Sequence, residues 1–171
     1  MASQFEKYEK HTSAVQWCLC AKGYLETAGL IEKQAREKKF RLRFDLPLLM
    51  LIGQGYELTL KANLLAAGIS LEKISKFGHG LSKLMNAKDN RDLKSYFDKY
   101  KSDNAKLKTF KETLNLENSF TYLAFSHGPP YVLRYPFVHA RPHLDAALLV
   151  EFGLALNKKI EPICAAKFKN G

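Results

Sequence analysis

The chain has 171 residues, with 27 Lys and Arg against 17 Asp and Glu, for a formal net charge of +10. Hydrophobic residues make up 46% and charged residues 26%, a globular composition that excludes a largely disordered chain and fits one domain over residues 1–171. The longest apolar run, Leu46 to Ile52, falls well short of the roughly 20 residues of a membrane helix, and Met1 to Lys10 lacks the apolar stretch of a secretion signal.

The charge is concentrated. Glu32 to Arg43 carries six basic and two acidic residues, Arg91 to Glu112 seven and four, and Lys158 to Lys169 four and one. These stretches hold the whole excess, and clustered excess suits a surface that contacts a polyanion, because phosphate contacts release counterions. The same stretches also read as solvated helix faces with a basic tail at residues 159–171.

In chain order, the first long helix is expected over Ser13 to Lys38. Ala14, Cys18, Ala21, Leu25, Ala28 and Ala35 form one face, and Ser13 with Gln16 fits a capping box. Phe40 to Phe44 alternates like a short extended connector. Asp45 and Pro47 mark a second start, and from Leu48 the chain is apolar on nearly every face until Gly68, a C-terminal stop. A helix of that kind lies in the middle of a bundle. Ser70 caps a short helix ending near Gly78, and His79-Gly80-Leu81 opens another that reaches Asn86. Arg91 to Leu116 is amphipathic, with Leu93, Phe97, Tyr100, Leu107, Phe110 and Leu114 on one side and a break near Ser102-Asp103-Asn104. From Phe120 to Val138, Gly128-Pro129-Pro130 and Pro136 forbid a continuous helix. A last helix spans Pro142 to Lys158, and Pro162 disturbs the residues after it. The expected fold is an all-α bundle of about five helices.

Cys18, Cys20 and Cys164 are odd in number, so full pairing within the chain is impossible, and free thiols in a reducing cytoplasm are expected. Cys18-Leu-Cys20 lacks zinc spacing, and Pro142 lies between His139 and His143, so no metal site is expected. No Walker loop, Rossmann glycine pattern or acid–base carboxylate pair occurs, and no cofactor is expected.

Glu57 and Lys61 are the most informative charges, lying one turn apart on the most apolar helix. Desolvation costs more than the pair alone returns, so further polar partners are needed. His79 and Arg134 are the expected ones. Two readings fit: a buried polar network that fixes helix register, or a cleft that meets a phosphate or nucleobase. Arg134, Tyr135, His139, Arg141 and His143 form a second dense group before the last helix, where an arginine and two histidines could hold an anion. In RNA cleavage a histidine can move the 2′-hydroxyl proton while an arginine stabilises the phosphorane. The aromatics among the lysines of Lys94 to Lys101 could stack bases, but their helical spacing suits a core face better.

The segments Gly55-Tyr-Glu57-Leu-Thr-Leu-Lys61-Ala, Gly78-His79-Gly-Leu81 and Leu133-Arg134-Tyr135-Pro136 occur in an order that resembles the HEPN-like superfamily of helical bundles, over residues 50–156. The resemblance implies an up-and-down bundle that commonly forms homodimers, occurs in RNA-targeting toxins and phage defence, and can have a cognate nucleotidyltransferase or antitoxin as partner. Active members carry R-x4-6-H near the last helix, and Arg134 with His139 has that spacing. Tyr135 stands where Asn, Asp or His is usual, Pro136 interrupts the helix, and Gly80 replaces a common Asp. The resemblance therefore implies a module that binds RNA or a nucleotide without cutting it, in a defence, toxin–antitoxin or regulatory setting. The alternatives are a metal-independent ribonuclease using Arg134 and His139, and a structural or partner-binding bundle with no nucleic-acid ligand.

Overall fold

The computed structural model describes residues 12–37, 46–103, 110–127 and 145–169. They form seven α-helices and one 3-10 turn, with no strand among the described residues: α1 (Ala14–Arg36), α2 (Leu46–Ala66), α3 (Leu71–Ser75), α4 (Leu81–Met85), the 3-10 turn Lys88–Asn90, α5 (Arg91–Asp103), α6 (Phe110–His127) and α7 (Ala146–Lys169). The all-α class is as expected, and the described residues carry seven helices where about five were expected, the stretch Arg91 to Leu116 being divided between α5 and α6. No helix among the described residues is long and apolar enough to cross a membrane.

The ends of these helices follow from local chemistry. Ser13 and Gln16 form the reciprocal capping box of α1: the Gln16 backbone N–H donates to Ser13 Oγ at 3.2 Å, and the Ser13 N–H donates to Gln16 Oε1 at 3.0 Å. At the far end of α2, Gly68 adopts φ +85°. Its N–H donates to the Leu65 carbonyl and that of Ile69 to the Leu64 carbonyl, which closes the helix as a Schellman motif. Asp145 caps α7, its Oδ1 accepting from the Leu148 N–H at 3.0 Å.

Two expectations about the later helices need correction. The amphipathic stretch expected to end at Leu116 runs on in α6 to His127, immediately before Gly128-Pro129-Pro130. The last helix does not stop at Lys158. It passes through Pro162, and the supposed tail is helical to Lys169. Pro162 removes one N–H from the ladder, but it and Lys158, whose carbonyl loses that donor, are both exposed residues. On the opposite face Ile160 and Cys164 are fully buried, so burial holds this part of the helix in place.

The expected central position of α2 is borne out, and it packs lengthwise against α1 and α7. Leu25 of α1 is the knob at that junction. A Cβ on Gly55 would lie 2.5 Å from Leu25 Cγ, and one on Gly153 of α7 would lie 2.7 Å from Leu25 Cδ2. Both positions must therefore be glycine for one leucine to fill the gap among three helices. Beside it, the Tyr56 hydroxyl donates to the Leu149 carbonyl at 2.7 Å, while its ring packs against Phe120 and Phe152. Phe97 and Tyr100 close the same cluster from α5. The aromatics of α5 thus serve the core rather than an open stacking surface.

Candidate functional site

Glu57 lies midway along α2 and is 2% exposed. Three cationic or potentially cationic side chains converge on its carboxylate. Lys61, one turn on, donates from Nζ to Oε1 at 2.7 Å. His79 Nδ1 lies 2.9 Å from Oε2, and His127 Nε2 lies 2.7 Å from the same oxygen. The two imidazoles stand edge to face, with centroids 6.1 Å apart. Side-chain exposure rises from 3% at Glu57 through 8% at His127 and 13% at Lys61 to 35% at His79. The site is a buried anion with its one substantially solvated member at the rim.

Each member arrives by a different structural route. Glu57 and Lys61 share a face of α2 because they are four residues apart. His79 is presented by the turn between α3 and α4, where Gly78 takes φ +56° and Gly80 begins the next helix in extended conformation. His127 is the last residue of α6. Its ring rests directly on α2 one turn before Glu57, where a Cβ at Gly53 would fall 2.4 Å from Nδ1. The row Gly53, Glu57, Lys61 is therefore one functional stripe: a gap for a ring, an acceptor for it, and a counter-charge.

Burial by itself pushes the Glu57 carboxyl up. The hydrogen bond from His127 outweighs that together with the hydrogen bond and charge of Lys61 and the hydrogen bond from His79, bringing it down to about 2 from an ordinary 4.5. An ionised carboxylate can only accept, so both facing ring nitrogens carry a proton. In the neutral rings this fixes the Nδ1–H tautomer for His79 and the Nε2–H tautomer for His127.

Of the residues singled out by sequence, Glu57, Lys61 and His79 come together as expected. Arg134, Tyr135, His139, Arg141 and His143 lie outside the described residues. The further partner that the described residues supply is His127, which sequence reasoning missed. The signal was available: Leu116, Phe120, Leu123 and Ala124 are buried at helical spacing, and His127 continues their face. The ligand atoms of Glu57, His79 and His127 all lie within 4.8 Å of one another.

A second buried polar group sits further along α2. Asn63 Nδ2 donates to Asn90 Oδ1 at 2.9 Å and to the Asp89 carbonyl at 3.1 Å. Asn90 Nδ2 in turn donates to the carbonyls of Leu84 and Leu60. These amides tie the 3-10 turn to α2 and α4.

No protein-family model, curated protein or solved structure matches this chain.

Proposed function

We propose that this chain is a HEPN-like module that binds RNA or a nucleotide through its phosphates, works as a homodimer, and acts by binding rather than by cleavage. The observation that carries this reading is the charge around His79. Between Lys73 and Lys94 the chain places six basic residues against two acidic ones, and Lys73, Lys76, Lys83, Lys88, Arg91 and Lys94 are all exposed. They flank, in sequence, the one member of the Glu57 cluster that reaches solvent well. A cationic stretch beside a partly open polar cluster suits an anionic ligand, with the lysines holding phosphates and the rim imidazole offering a hydrogen bond.

The test is fluorescence anisotropy of a labelled single-stranded RNA at several salt concentrations. Affinity should fall steeply as salt rises, and the slope should become shallower in a Lys73→Glu, Lys76→Glu, Lys83→Glu variant. Affinity that is flat with salt, or equal in the variant, contradicts the proposal. Cleavage of that RNA in EDTA, abolished by Arg134→Ala and His139→Ala, would replace the binder with the ribonuclease.

A further inference from the structure

We propose that Glu57, His79 and His127 form a binding site for a divalent transition-metal ion of zinc's class. This inference does not depend on the RNA reading. Two imidazole nitrogens and one carboxylate oxygen are donors that prefer zinc-like ions to magnesium or calcium, which favour all-oxygen shells. The three ligand atoms already face one another, within 4.8 Å, from three separate elements.

The geometry is close to what ligation demands. Zinc bonds of about 2.0–2.1 Å at tetrahedral angles put neighbouring ligand atoms roughly 3.3 Å apart. His79 Nδ1 and His127 Nε2 stand 2.9 and 2.7 Å from Glu57 Oε2. Lengthening the two contacts to Oε2 by about half an ångström, with the two ring nitrogens brought from within 4.8 Å of each other to the same spacing, gives an ion ordinary bond lengths. The ion takes the place of the two N–H···Oε2 contacts. Each neutral imidazole then presents a lone pair where it now presents a proton, and that proton moves to the other ring nitrogen.

The surroundings support this arrangement. Gly53 leaves the His127 ring space against the helix backbone, which any Cβ would fill. Lys61 stays on Oε1 and keeps Oε2 turned toward the rings. Three protein ligands leave a fourth position, which opens on the side of His79, the most exposed of them. The Lys61 charge adds to that of the ion, so the fourth ligand is an anionic oxygen, hydroxide or phosphate, rather than a neutral group.

Equilibrium dialysis of the purified, chelator-treated full chain against Zn2+ near neutral pH tests the site, with Co2+ absorption as a probe of coordination. One ion per chain is expected, and the Co2+ complex should show the intense visible bands of a four-coordinate site. His79→Ala changes a partly exposed turn residue and should leave the far-UV circular dichroism unchanged. It should weaken Zn2+ binding by more than about 100-fold, beyond the range of changes behind the ligands. His11→Ala, at a histidine remote in sequence, should leave binding intact. His127→Gln should shift the Co2+ bands in any protein that remains folded. Absence of saturable Zn2+ binding overturns the proposal. So does equal binding by His79→Ala and the unaltered chain, or loss of binding in His11→Ala.

Discussion

Two of the buried polar groups on helix α2 are built on opposite principles. Around Asn63 and Asn90, neutral amides meet carbonyls and each other, in a cluster that contains no titrating group. Around Glu57, one charge gathers three nitrogen donors from three elements, and exposure increases outward to His79. The amide group has a fixed set of donors and acceptors, so it can only hold the fold. The ionic group can exchange protons or accept an ion at its rim, so it can both hold the fold and respond to what binds. Their contrast separates a structural lock from a candidate site on a single helix.

The largest expected effect comes from removing the charge at the centre of the second group. Glu57→Ala removes the carboxylate shared by Lys61, His79 and His127, and a loss of about 3–5 kcal/mol is expected in urea unfolding. Loss of less than about 1 kcal/mol would mean that the cluster is solvated and the contrast false.

A pH series sharpens the contrast next. Because the Glu57 carboxyl is lowered to about 2 in the folded state, its contribution is complete above its ordinary value near 4.5 and disappears as pH falls through that interval. The sign is therefore loss of stability on acidification, by roughly 3 kcal/mol in all. Glu57→Gln should flatten that part of the curve. Asn90→Ala should lower stability by about 2–3 kcal/mol, because it orphans buried partners, but equally at every pH. If Asn90→Ala altered the pH dependence instead, the two groups would be one coupled network.

Much of this arrangement was legible in the sequence, for identifiable reasons. The capping box of α1, the all-round apolarity of α2 and the Gly68 stop are local signals, and each appears in the fold. Glu57 and Lys61 stood out because a buried charge on an apolar helix demands partners, and His79 was reachable by the same reasoning. His127 was missed although its helical face signals it, because Gly128-Pro129-Pro130 drew attention to a break while that face ran on to the very last residue. Pro162 misled in a similar way: its cost depends on whether it faces water, a tertiary fact. The glycines at 53, 55 and 153 were equally opaque. Each is required by a ring or a leucine from another helix, and sequence spacing along one helix does not reveal that neighbour.

Glu57 stays ionised inside the bundle because three nitrogen donors hold it so, and the contrast between lock and site depends on that. Carbon-13 NMR of the side-chain carboxyl groups, with Glu57 assigned by comparison with Glu57→Gln, measures this directly. The Glu57 signal should stay at its ionised position as pH is lowered past the ordinary glutamate midpoint of 4.5 and turn only toward about 2. A Glu57 midpoint at or above 4.5 would contradict this, since the carboxylate would then gain nothing from Lys61, His79 and His127.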